Sequence, residues 1–274
     1  MQHLARFAFV TLTALLAAPS FASTEDAIRA ALADPARKEA DRARDAQRHP
    51  LETLTFFGLK PDMHVLELWP GGGWYTEVLG PVLREKGKLS VTNADPNGPQ
   101  DKYAHKLARG YADHLAANEA RLGKVSAHIV APPDQLSFGE ADSVDMIVTF
   151  RNNHSWLNGG YQDAVYREAL RVLKPGGVLG VVQHRAAEGA DPAVAMKTGY
   201  LPEAAVIAPA EAAGFVLDAK SEINANPRDT KDYPKGVWTL PPNFAEGDTD
   251  RAKYEAIGES DRMTLRFVKP KAAK

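Results

Sequence analysis

Two stretches of the sequence combine residue types and spacing that chemistry could use. The first is Glu67-Leu68-Trp69-Pro70-Gly71-Gly72-Gly73-Trp74, an acid followed by three consecutive glycines. Glycine adopts positive φ without steric cost and lets a ligand lie against the main chain. The N–H groups of a helix start just beyond would then face that ligand. The second stretch is Arg151-Asn152-Asn153-His154-Ser155-Trp156, with His184-Arg185 further along. A histidine neutral near pH 7 can take a proton from a hydroxyl, phenol or amine. His154 is therefore the first candidate base and His184 the second. Asn152 and Asn153 are candidate positioning groups, Trp156 a platform for an acceptor, and Arg151 and Arg185 cations for substrate, Arg185 suiting an acidic one. The ordinary readings are a solvent-facing loop histidine at 154 and a strand-end cap at 184. Trp74 and Tyr75 border the same pocket, Tyr75 as a substrate contact.

Several other chemistries lack their residues. No G-x-x-x-x-G-K-[ST] phosphate loop and no G-x-S-x-G nucleophile elbow occurs. The dinucleotide fingerprint G-x-G-x-x-G needs a glycine where Thr76 stands. The histidines show no H-x-x-x-H spacing, so no metal site is expected. With no cysteine there are no disulfides, thiolate metal sites or thiol nucleophiles. Lys+Arg 33 against Asp+Glu 35 gives a formal net charge of −2, which offers no field for nucleic acid.

The elements that must position these residues alternate. Short apolar runs at 64–68, 89–92, 126–130, 144–150 and 178–183 read as strands, with two more at 215–223 and 263–268. Helical patterns fall between them at 74–85, 101–118, 161–172 and 201–213. Lys174-Pro175-Gly176-Gly177 reads as a stop and turn. Such alternation predicts an open α/β sheet with helices on both faces. The apolar content of 44% suits a globular core. Residues 24–48 read as one charged leader helix ending before Pro50, within a helical segment spanning 23–58 ahead of a main domain at 59–274. The polar, proline-rich stretch 224–261, with Asp232, Tyr233 and Trp238, is either an excursion that closes over the site or a mobile loop.

The run VLELWPGGGWYTEVL resembles the first motif of class I S-adenosylmethionine-dependent methyltransferases, and most of all that of a group of exported bacterial methyltransferases with a WPGGGWY form. FGEADSVDMIVTF at 138–150 and LRVLKPGGVLGVV at 170–182 are similar to that class's fourth- and fifth-strand segments. The resemblance implies a Rossmann-like, mostly parallel seven-stranded sheet and S-adenosylmethionine as cofactor. Carried over, Glu67 would help hold the cofactor's amino acid part, and Gly71, Gly72 and Gly73 would let the main chain lie against it. Trp69 stands where the class has its first glycine. The ribose acid falls on Asn93 by spacing, with Asp95 the nearest carboxylate; Asp134 is the candidate for the adenine edge. Arg44-Asp45-Ala46-Gln47-Arg48 is also similar to the exported group and either covers the cofactor or is a plain surface charge run. The function implied is methylation of an unknown, small acceptor. The alternatives are a non-catalytic binding protein that keeps the fold and a nicotinamide-dependent oxidoreductase.

Residues 1–22 place Arg6 ahead of an apolar run from Phe7 to Ala18, then Pro19 and the small residues Ser20 and Ala22. This is the layout of a Sec-type signal peptide, which implies a periplasmic or secreted chain with no lasting membrane insertion. The apolar run is shorter than the roughly 20 residues that span a bilayer. The amino terminus of the exported protein, read by sequencing or intact mass, should be Ser23; a chain still beginning at Met1 would contradict cleavage after Ala22.

Overall fold

The computed structural model describes residues 23–271, so the signal sequence expected over 1–22 lies outside the described residues. Before the sheet come α1 (Thr24–Leu32), α2 (Glu39–Arg42), α3 (Asp45–Arg48) and α4 (Pro50–Phe57). The single helix expected over 24–48 is thus broken into three. Asp34 precedes Pro35, which disfavours helical backbone, and its carboxylate accepts the N–H of Ala36 at 2.9 Å to hold a turn. His49, left-handed at φ 42, separates α3 from α4, and Pro50 starts the latter.

The strands are β1 (His64–Leu68), β2 (Lys88–Asn93), β3 (Val125–Ile129), β4 (Val144–Phe150), β5 (Leu173–His184), β6 (Val216–Ser221) and β7 (Arg262–Val268). Their order in one sheet is β3-β2-β1-β4-β5-β7-β6, with β7 alone running antiparallel to its neighbours. This is the seven-stranded, mostly parallel Rossmann-like architecture expected. Connecting helices are α5 (Thr76–Leu83), α6 (Tyr103–Ala117), α7 (Glu119–Leu122), α8 (Asn153–Asn158), α9 (Gln162–Val172), α10 (Pro192–Ala195), α11 (Ala204–Ala213) and α12 (Arg251–Ile257). Among the described residues no helix is long and apolar enough to cross a membrane.

Central strands bury both faces, which is why β1 and β4 read as nearly continuous apolar runs. Side chains alternate across the sheet. Leu66 and Leu68 join Ile147, Leu179, Trp156 and Tyr166 on the α8–α9–α11 side. Val65 joins Met146, Val148, Leu79 and Phe57 on the α1–α4–α5 side. The turn expected at 174–177 is an irregularity at the start of β5: pairing jumps from Val144↔Leu173 to Met146↔Val178, and Gly176 takes φ 81. The 224–261 stretch is a packed excursion, with α12 and a small apolar cluster of Tyr233, Leu240 and Tyr254.

The chain leaves β1 toward β2 and β3 on one side, then returns to β4 on the other. The carboxyl ends of β1 and β4 therefore frame the switch point where open α/β sheets bind ligands.

Gly180 on β5 tests how closely α4 seats on the sheet, since a Cβ there would lie 2.5 Å from the Phe57 ring. Gly180→Ala should lower the stability by about 1–3 kcal/mol in urea titration, against the usual gain on replacing glycine.

Candidate active site at the carboxyl ends of the strands

The glycine turn follows β1 directly. Trp69 takes a left-handed φ of 45, and its N–H donates to Thr92 Oγ1 at 3.1 Å. Gly71 and Gly73 have φ 61 and 85, and the Gly73 N–H donates to the Pro70 carbonyl at 3.0 Å. A Cβ on Gly71 or Gly72 would meet nothing within 4 Å, so this main chain faces open space. Gly73 differs: its Cβ would lie 2.9 Å from the Tyr111 ring, so its smallness serves packing. Glu67 is buried, and Thr76 Oγ1 donates to its carboxylate at 2.6 Å. Thr76 also meets the Tyr111 hydroxyl at 3.0 Å. Burial pushes Glu67 up to about 7, against the pull of Thr76 and Arg151. The residue that breaks the dinucleotide fingerprint is thus the one that holds the acid.

Two cavities meet at this turn. The smaller, 330 Å³, is bounded by Asn93, Ala94, Leu107, Trp156 and Tyr161. The larger, 620 Å³, runs past Gly72 and Trp74 to Arg151, His154, His184 and Trp238. Trp69, Gly71, Tyr103, Asn152 and Ser155 line both. The Trp69 indole turns aside to pack on Phe138 (centroids 6.0 Å) and Trp156 (5.4 Å), leaving the space over Gly71 and Gly72 clear. A bare main chain, a buried acid and an elongated hollow at the switch point fit a nucleoside with an amino acid tail.

The far wall of the larger cavity comes from both ends of the chain. Glu259 accepts Arg44 Nε at 2.7 Å, Arg48 Nε at 3.0 Å and Arg262 Nη1 at 3.1 Å. Trp74 donates its indole N–H to the Asp41 carbonyl at 3.1 Å, and the Arg48 guanidinium lies 4.6 Å from its ring centroid. Arg151, left-handed at φ 65, donates its main-chain N–H to the Val182 carbonyl at 2.7 Å, while its guanidinium has no hydrogen-bond or ion-pair partner among the described residues. Burial lowers it to about 10, opposed by Glu259. His154 is lowered to about 4, chiefly by burial, and its Nδ1 lies 3.4 Å from Gln183 Nε2. His184 is likewise lowered by burial, and its Nδ1 contacts Ser260 Oγ at 2.5 Å.

The sequence-predicted residues divide accordingly. Glu67, Trp69, Gly71, Gly72, Asn93, Asn152, Arg151, His154, His184 and Trp156 gather around the two cavities or directly beneath the turn. Asn152 Nδ2 donates to the Leu68 carbonyl at 2.9 Å, tying the end of β4 to the end of β1. Trp156 backs Trp69 in the core and reaches only the smaller cavity, so it is no platform beside His154. Asn153 points into the core, where its Oδ1 accepts the Tyr166 hydroxyl at 2.6 Å, and it does not face a ligand. Tyr75 stacks on Phe150 with centroids 3.4 Å apart and is packing, not contact. Arg185 is occupied by Glu203, Glu222 and Asp261, which leaves it no charge for an acceptor. Asp95 caps its own turn through the Asn97 N–H at 2.8 Å, and Asp134 is exposed at the tip after β3; neither lines a cavity. In the excursion, Trp238 borders the larger cavity, whereas Tyr233 is buried against Tyr254 and Asp232 is exposed.

Glu259, Ser260, Lys38 and Asp41 also line the larger cavity and carry no motif. The one sequence hint was the basic run at 44–48, which needs a buried acid somewhere once it packs.

Residues 66–181 match the family model described as a methyltransferase domain. No curated protein matches the chain. Among solved structures, a SAM dependent methyltransferase from Aquifex aeolicus aligns at 18% identity over 89% of this chain and 98% of its own, TM-score 0.54. An arsenic(III) S-adenosylmethionine methyltransferase from Chlamydomonas reinhardtii aligns at 18% identity over 89% and 73%, TM-score 0.50. Phosphoethanolamine N-methyltransferase 2 of Haemonchus contortus, in complex with S-adenosyl-L-methionine, aligns at 16% identity over 82% of this chain and 53% of its own, TM-score 0.52. At such identities they share the fold.

The lowered His154 makes stability depend on pH. Unfolded, the ring protonates near 6.5; folded, near about 4, so below 6.5 the unfolded chain binds more protons and stability falls toward about pH 4. His154→Gln should flatten that fall by on the order of 1 kcal/mol between neutral and mildly acid pH, read from denaturant midpoints.

Proposed function

We propose that the chain transfers a methyl group from S-adenosylmethionine to a small acceptor in the periplasm. The observation that carries this reading is the open main chain of Gly71 and Gly72 between two connected cavities, with Glu67 buried behind it. The smaller cavity, beside Asn93 at the end of β2, suits the nucleoside, and the larger suits the amino acid tail and the acceptor. When bound, S-adenosylmethionine supplies a methyl carbon activated by its sulfonium. Asn93 offers the ribose a side-chain amide where the class has an acid. Lys38 and Asp41, which also line the larger cavity, present one charge of each sign, matching an amino acid's two ends. Arg151, His154 and His184 line the same cavity and would orient the acceptor. Alignment along the line of displacement supplies most of the rate in such a transfer, and a walled cavity provides it. Export follows from the leader at 1–22 and agrees with the absence of cysteine.

A non-catalytic binding role is the second reading, and Trp69 is its motive. A bulky residue held at φ 45 where the class has glycine is strained, and Trp69 could shape the hollow for another ligand. A nicotinamide-dependent role has no such support, because Thr76 is committed to Glu67.

Titration calorimetry of the mature protein decides between the first two. S-adenosylhomocysteine should bind, and Glu67→Gln should weaken it by about tenfold or more, as expected for a charged hydrogen-bond partner. Absence of heat with the unaltered protein would leave only the binding role.

A further inference from the structure

Gln183 on β5 is fully buried, and its amide has one possible orientation. Its Oε1 lies 3.2 Å from the main-chain N–H of Asn153, and its Nε2 lies 3.0 Å from the main-chain carbonyl of Gly199. An N–H only donates and a carbonyl only accepts, so the amide cannot be flipped. The remaining hydrogen on Nε2 then points to Nδ1 of His154, 3.4 Å away, and that nitrogen must accept it. A neutral imidazole with Nδ1 accepting carries its proton on Nε2. Burial keeps the ring neutral at pH 7. Gln183 therefore presents His154 to the cavity as a hydrogen-bond donor, and a base is what it cannot be.

The rest of the wall agrees. Four cations line the larger cavity, Lys38, Arg44, Arg48 and Arg151, against two carboxylates, Asp41 and Glu259. Glu259 is already engaged by three arginines, whereas the Arg151 guanidinium has no hydrogen-bond or ion-pair partner among the described residues. Val237, Trp238, Pro241 and Pro242 form an apolar side. A site made of donors and positive charge is mismatched to an alcohol or amine, each of which must lose a proton on methylation. A carboxylate is already ionised.

Resting on the methyltransferase reading, we propose that the acceptor is a small carboxylic acid with an apolar body, its carboxylate held by the Arg151 guanidinium and the His154 Nε2–H. One carboxylate oxygen attacks the methyl carbon as the sulfur–carbon bond breaks, and the electron pair of that bond stays on sulfur. A carbon–oxygen bond forms, giving a methyl ester and a neutral thioether. The single negative and single positive charge cancel, and no proton moves. Gln183 is a positioning residue that acts through His154.

Two measurements test this. Nitrogen-15 spectra of the unaltered protein, with His154 assigned by its loss in His154→Gln, should show a protonated Nε2 and a bare Nδ1 at neutral pH. Gln183→Met should abolish that single tautomer, and a proton on Nδ1 in the unaltered protein overturns the proposal. Tryptophan fluorescence is then followed with phenylacetate, 2-phenylethanol and 2-phenylethylamine, which share a body and differ in head group. Phenylacetate should bind about tenfold or more tighter than the others and lose about tenfold in Arg151→Gln, the scale of a charged hydrogen-bond pair. Equal binding of the alcohol or amine, or no binding of the acid, overturns the proposal. S-adenosylhomocysteine affinity should change by less than about twofold in Arg151→Gln, well under one charged hydrogen bond. A parallel loss would assign Arg151 to the cofactor, overturning the acid-acceptor proposal while the methyltransferase reading stands. Failure of the unaltered protein to bind S-adenosylhomocysteine overturns both.

Discussion

The shape of the larger cavity depends on one buried carboxylate. Glu259, 6% exposed, takes hydrogen bonds from Arg44 and Arg48 near the start of the chain and from Arg262 at the start of β7. Three guanidinium groups so close would repel one another without it. Removing one partner from such a buried set costs about 3–5 kcal/mol, because the charges left behind have lost their water as well as their counter-ion. Arg48 then lies over Trp74, and Trp74 donates to Asp41, so the same charge cluster seats α2 and α3 against the glycine turn. The wall of the site is thus a consequence of where one acid in the excursion is forced to go.

Against that wall stands a rim held by the sheet. Trp69 at the end of β1 and Arg151 at the end of β4 both adopt left-handed backbone, an unfavourable state for bulky residues, at adjacent points of the switch crevice. Asn152 bridges them by donating to the Leu68 carbonyl and to Thr149 Oγ1. The geometry aims Trp69 into the core beside Phe138 and aims Arg151 into the cavity. Strain at these two positions coincides with the place where chemistry would occur.

Much of the architecture was legible in the residue pattern, because central parallel strands must be apolar on both faces and helices between them must be amphipathic. All seven strands were legible, with ends moved by a few residues. The leader helix was not, since a charged, alanine-rich stretch keeps its helical pattern through a break set by Asp34 and Pro35. The Lys174-Pro175-Gly176-Gly177 run has the residues of a turn and is instead a bulged start to β5, because β4 continues beside it and supplies partners. At the site, the turn from Glu67 to Gly72 and the pair His154 and His184 were legible from residue type. Arg185 and Asp95 were misplaced, since nothing local reveals that Glu203, Glu222 and Asp261 converge on the first, or that the second closes its own turn.

The sheet, the bare main chain after β1 and the acid behind it follow from local periodicity and from what glycine permits, so residue order alone is enough to expect them. Which charges are spent and which are free is settled by folding. Arg185 and Arg151 are the same residue type at equivalent strand ends, yet one is neutralised by three carboxylates and the other by none among the described residues. It also decided the proton on His154, which depends on Gln183 being pinned between a main-chain donor and a main-chain acceptor 30 and 16 residues away. Pairing and protonation are set by distances between segments remote in the chain, and those distances exist only once the chain has folded.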